Sequence, residues 1–199
     1  MHYLKRKRVI SWALYDWANS AFATTVMAGF FPLFFKSFWA ADLSPAESTA
    51  VIGTTNSLAG LLIVLLAPFL GAYSDLGKFK KKFLAFFALL GVLSTGYLYF
   101  IPQGDWVIAA SLYALAVIGF SGGNIFYDSL IASVSKQDQR NKVSSLGFSL
   151  GYLGGGLLFV INVLMYLNPA WFGLSSEIEA ILWSFLSVAI WWAIFSLPL

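Results

Sequence analysis

Six stretches of this chain stay apolar for long enough that each is read as a helix crossing a lipid bilayer. They run from Ile10 to Trp39, Val51 to Tyr73, Phe83 to Ile101, Trp106 to Val134, Val143 to Leu167 and Ile178 to Leu197. About 20 mostly apolar residues, rising 1.5 Å each, cross the hydrocarbon core. No water is available there for backbone N–H and C=O groups, so a segment of this length must satisfy them within itself, as a helix does. Composition agrees. Hydrophobic residues make up 59% of the 199 and charged residues 11%, against about a quarter charged in a soluble domain. The predicted fold is therefore an all-α membrane protein, one bundle of six transmembrane helices with no soluble domain, linker or low-complexity tract.

The first segment needs a separate argument, because Lys5-Arg6-Lys7-Arg8 before an apolar run could open a signal peptide. The apolar run continues to Trp39, far beyond a signal core of about 7–15 residues. It also contains Asp16 and Asn19, and Phe38 or Trp39 stands where a cleavage site needs a small residue. It reads as a retained span, long enough to tilt or to kink at Pro32. Between spans the connections are short. Ser44, Pro45 and Glu47 predict a capped start to the second helix, Pro102-Gln103-Gly104-Asp105 a turn, and Asn168-Pro169 the end of the fifth.

Charge fixes a direction. Of the 12 basic residues, Lys5 to Arg8, Lys78, Lys80 to Lys82, Lys136, Arg140 and Lys142 fall on one side, and only Lys36 lies toward the other. Asp42, Glu47, Asp105, Glu177 and Glu179 occupy the opposite loops. By the positive-inside rule the basic side is cytoplasmic, which places the amino terminus in the cytoplasm and the chain in the cell's inner membrane. The net charge of +3 therefore reflects topology rather than nucleic-acid binding, since the bases form short clusters beside apolar runs. The absence of cysteine excludes disulfides and thiolate metal sites. No cofactor or metal is expected.

Two carboxylates remain inside the spans, Asp16 on the first helix and Asp128 on the fourth. An ionisable side chain in a span usually faces a cavity or a partner. Each lies roughly 9–10 Å inside the basic boundary at 1.5 Å per residue. At equal depth they can share a water-filled vestibule, and one can carry a proton. Trp12, Asp16, Asn19, Ser20 and Ala23 fall on one face at helical spacing, as do Ser121, Asn124 and Asp128. Asn162, on the fifth helix, completes the candidate substrate or proton pathway of Asp16, Asn19, Asn124, Asp128 and Asn162. The bland alternative is that each polar group bonds a neighbouring helix.

Gly147, Gly151 and Gly155 recur every fourth residue on the fifth helix. They leave a stripe without side chains, where another helix can approach as tight packing or as a sliding surface. An enzyme reading fails. Gly119-Phe120-Ser121-Gly122 matches the nucleophile motif of rhomboid proteases, but such a serine needs a base, and the one histidine, His2, lies outside the spans.

The loop after the second helix, Gly71-Ala72-Tyr73-Ser74-Asp75-Leu76-Gly77-Lys78 and the lysines beyond, resembles the signature of the major facilitator superfamily. Leu76 stands where that signature has a basic residue. The resemblance implies a gating motif of Gly71, Asp75, Gly77 and Lys78. Physically, Gly71 permits close helix packing and Asp75 can accept hydrogen bonds or meet a helix amino terminus. The first helix from Trp12 to Phe22 and the fifth from Val143 to Gly156 resemble the vacuole effluxer-like branch of the superfamily. Tyr152 replaces the proline of the superfamily's antiporter motif, so a direction of antiport is not implied. The family's eukaryotic members are linked to amino-acid efflux from the vacuole, and their substrate choice is not carried over.

The resemblance implies the amino-terminal half of a major facilitator fold, a 3+3 inverted repeat. It implies a secondary-active transporter moving a small-molecule solute by alternating access, with proton coupling as one option. Such transporters place the substrate site between two six-helix halves. The expected partners are therefore the lipid bilayer, a small solute and a second six-helix half, in a longer chain, a separate chain or a homodimer. The alternative is a non-transporting membrane scaffold or a fragment that needs its other half.

Overall fold

The computed structural model describes residues 2–77 and 79–199, with side chains described for 6–72 and 79–199. Six helices are long and apolar enough to cross a membrane. They are α1 (Arg6–Trp39), α2 (Pro45–Gly77), α3 (Lys80–Tyr97), α4 (Trp106–Val134), α5 (Arg140–Leu167) and α6 (Glu177–Ser196). No strand occurs among the described residues.

The ends of the helices follow local chemistry. At the start of α2 the Ser44 N–H donates to Glu47 Oε2 at 2.9 Å and the Glu47 N–H donates to Ser44 Oγ at 3.3 Å. This is the reciprocal cap that the sequence spacing predicts. A second cap of the same kind opens α6. There the Glu179 N–H donates to Ser176 Oγ at 3.2 Å and the Ser175 N–H to Glu179 Oε2 at 2.7 Å. Gly104 turns the chain between α3 and α4 at φ +89°, a conformation that side chains disfavour. Asn168 ends α5 and Pro169 opens a short 3₁₀ turn.

Within α1 the backbone departs from an ideal helix. Phe22–Phe30 and Phe35–Trp39 are π-helical, on either side of an α-helical Phe31–Phe34 that contains Pro32. The Phe31 N–H reaches back to Val26 O and the Ala40 N–H to Phe35 O, one residue further than in an α-helix. Proline has no N–H to give and its ring crowds the carbonyl four residues back. Widened turns move that carbonyl aside without breaking the rod.

In lipid, apolar surface gives helices no net reason to associate, so close fit and hydrogen bonds must do it. The tightest crossing joins α3 and α4. A Cβ added to Gly119 would fall on the backbone N and Cα of Gly91. The Phe31 ring stacks on Tyr113 at 3.8 Å within an aromatic core that also holds Trp39, Phe185 and Trp192. A second core, toward the basic end, gathers Trp12, Tyr15, Leu84, Phe87, Phe126 and Tyr127.

The pairing of helices carries an internal repeat. α1 packs on α5 as α4 packs on α2, and α3 packs on α4 as α6 packs on α1. Exchanging α1–α3 for α4–α6 therefore maps each of these contacts onto another. The exchanged helices cross the bilayer in opposite directions, as an inverted repeat requires. α2 and α5 lie on the outside of this arrangement. Leu58, Leu61, Val64, Leu65 and Phe69 of α2 are exposed, as are Phe148, Tyr152, Leu153 and Val160 of α5.

Candidate functional site

Asp16 and Asp128 line one cavity, of about 170 Å³, between α1, α4 and α5. Trp12, Tyr127, Ile131, Ser144 and Phe148 complete its wall, and no basic side chain is among its lining residues. Asp16 is half-buried and Asp128 exposed. The Ser20 hydroxyl, one turn along α1, donates to Asp16 Oδ1 at 3.2 Å.

Two sets of contacts fix this wall. Trp12 stacks nearly parallel on Tyr127, with centroids 4.3 Å apart, and its indole N–H donates to the Tyr127 carbonyl at 2.9 Å. One residue thus locks α1 to α4 through both ring and donor. On the other side, α5 presents bare backbone to α1. A Cβ on Gly151 would lie 2.7 Å from Ser20 Oγ and 2.9 Å from Asp16 Cγ. One on Gly147 would lie 2.7 Å from Tyr127 Oη and 2.8 Å from Trp12. One on Gly155 would lie 2.9 Å from the Ser20 carbonyl, and Thr24 Oγ1 donates to Gly155 O at 3.2 Å. The glycine stripe is the floor on which Asp16 and Ser20 rest.

The other pathway candidates sit elsewhere. Asn19 is buried and its amide donates to Asn124 Oδ1 at 2.6 Å, bridging α1 to α4. Neither of this pair lines the cavity. Asn162 is buried between α5 and α6, where it accepts a hydrogen bond from Ser187 Oγ at 3.0 Å. The five residues therefore divide into two cavity carboxylates and two separate interhelical links. Tyr127, Ser144 and Phe148 escaped the sequence reading, which had singled out only their polar or glycine neighbours. The signal was present: Ser144 and Phe148 are four apart and flank Gly147.

Two segments of the chain, residues 44–139 and 132–199, match the family described as "Vacuole effluxer Atg22 like". The chain belongs to this family. A relative from Bacillus subtilis (strain 168), named "Uncharacterized MFS-type transporter YxiO", is 40% identical over 200 residues, covering 97% of this chain and 46% of its own length. A protein of Aquifex aeolicus (strain VF5), named "Uncharacterized protein", is 27% identical over 159 residues, covering 78% of this chain and 38% of its own. The chain thus spans less than half the length of these relatives. No solved structure gives a significant match. The fold of this vacuole effluxer-like chain is a six-helix half of the major facilitator type. The family match begins after α1, but the Bacillus relative covers nearly the whole chain, so the helix carrying Asp16 is shared with it.

The expected gating motif is only partly visible. The side chain of Asp75, Gly77 and the whole of Lys78 lie outside the described residues. At Gly71 a Cβ would meet nothing within 4 Å.

Proposed function

We propose that this chain is the amino-terminal half of a secondary-active transporter that moves a small solute by alternating access. Family membership and the name of the Bacillus relative support a transporter of the major facilitator type. The observation that carries the reading to a site is that both in-span carboxylates, 112 positions apart in sequence, line one cavity. Apolar spans rarely hold such groups except on a solute or ion path. Asp16 and Asp128 are the substrate- or proton-handling residues in this proposal. Asn19–Asn124 and Asn162–Ser187 hold the helices around them, and Gly71, Asp75, Gly77 and Lys78 form the gate. The basic end faces the cytoplasm in the cell's inner membrane, because positively charged loops resist translocation.

Solute would cross between this half and a second one, which the exposed faces of α2 and α5 would meet. The test is transport by the two-half assembly in liposomes under an imposed pH gradient. Asp128→Asn should abolish gradient-driven transport while leaving the protein folded. Undiminished transport would remove Asp128 from the mechanism.

A further inference from the structure

Nearer the basic end, the same three helices border a second cavity, open to the surface and of about 720 Å³. Its polar side chains are Arg6 and Arg8 from α1, Ser133 near the end of α4, Ser135 and Lys136 from the turn after it, and Gln139. An adjoining cavity of about 400 Å³ shares Arg8 and Ser133 with it and adds Lys7 and Lys81. Among the described residues no Asp or Glu lines either cavity, and Lys81 Nζ in the smaller one donates to the Leu199 carbonyl oxygen at 2.7 Å; Asp138 lies in the turn between α4 and α5 but borders neither. Ser133 and Ser135 spend their hydroxyl protons on the carbonyls of Leu130 and Ile131. The donors left for a ligand are therefore the two guanidiniums, the lysine and the Gln139 amide. Beside them, Ile10 is 45% and Leu146 41% exposed, an apolar border on the same opening.

We infer that this basic cavity binds the phosphate of an anionic phospholipid headgroup. Guanidinium and ammonium groups are the side chains suited to a phosphate, and basic pockets between helices at the membrane surface are where such headgroups bind. The positive-inside rule accounts for basic residues at this end. It does not account for Arg6, Arg8 and Lys136 converging from two separate elements on one opening whose described lining residues include no Asp or Glu. A solute anion in transit fits less well. Asp16 lies about 12 Å beyond Arg8 along α1, and Asp128 about 9 Å inside the end of α4, beyond which Lys136 follows in the turn. Two carboxylates at that depth oppose an anion moving inward, so a phosphate is held at the mouth, with its acyl chains along Ile10 and Leu146.

Native mass spectrometry of the purified chain, released from detergent with added phosphatidylglycerol or phosphatidylcholine, tests the assignment. Phosphatidylglycerol should stay bound where phosphatidylcholine does not. Arg8→Ala with Lys136→Ala should weaken its retention about thirtyfold. Arg8→Lys with Lys136→Arg should preserve binding, and Lys36→Ala, at the other end, should leave it unchanged. Raising salt to 1 M should release the lipid from the unmodified chain, a reading that depends on no variant. Equal retention of both lipids, or unaltered retention in the double alanine variant, would overturn the proposal. Displacement of phosphatidylglycerol by inorganic phosphate alone would also overturn it, in favour of a free-anion site.

Discussion

At the scale of single residues, the cavity depends on atoms that are missing as much as on those present. Gly151 lets Asp16 and Ser20 lie against the α5 backbone, and Gly156, one helical step from the stripe, has nothing within 4 Å of a Cβ. Gly151→Ala should therefore destabilise the fold by about 1–3 kcal/mol through overpacking. Gly156→Ala should be neutral or mildly stabilising, since alanine is the better helix former. Thermal melts of both variants in detergent compare them directly. The Asn19–Asn124 link makes a second expectation. A double-mutant cycle of Asn19→Ala and Asn124→Ala should give a coupling of about 0.6–2 kcal/mol, the range for hydrogen bonds between membrane helices. A coupling near zero would mean that each amide finds another partner when the first is lost. The carboxylates themselves were legible in the sequence, because charge inside an apolar run is conspicuous. Trp12 and Ser20 were legible with Asp16 from their helical spacing, but Tyr127 and Phe148 were not, because they look like every other aromatic in a chain that is 18% aromatic.

At the scale of elements, caps and turns read well and backbone register did not. Ser44 and Glu47 announced their cap by spacing alone; Ser176 and Glu179 have the same spacing, and there the Glu179 carboxylate reaches one residue further back, to the Ser175 N–H. Ser176→Ala should cost about 1 kcal/mol and speed amide exchange in the first turn of α6, leaving the far end of that helix protected. Exchange mass spectrometry separates the two. The π-helical stretches of α1 were not legible beyond the presence of Pro32. Each widened turn inserts a residue and offsets the faces by about 100° relative to a regular helix. The stripe that carries Trp12, Asp16 and Asn19 therefore cannot be extended by counting past Ala21. Positions beyond Phe30 share its face only where contacts show it. On α5, Asn162 meets Ser187 of α6 rather than the cavity, the interhelical alternative that the sequence leaves open.

At the scale of the whole molecule, helix number came from hydropathy, and the pairing of helices came only from the structure. The exposed apolar surfaces of α2 and α5 are ordinary against lipid, and they are also where a second half would sit. The 199-residue chain reconstituted alone should show no solute flux above empty liposomes, whereas assembly with a second half should restore it. Robust flux through the single half would show that a cavity closed on both sides does not need two. The internal repeat has one more consequence. An inverted repeat relates α1 to α4 by a two-fold axis lying in the plane of the bilayer. That axis would carry the stretch of α1 holding Asp16 onto the opposite end of α4, and from Val107 to Val117 α4 has no carboxylate. Nor does α1 carry one from Phe22 to Phe35, where the counterpart of Asp128 would fall. The frame is pseudo-symmetric and its chemistry is not. If the two triplets exchange shapes as the molecule rocks, the backbone can approach its own mirror posture while both acids stay on one leaflet's side. The two postures would then differ in what they offer a passing charge, even where they match in shape.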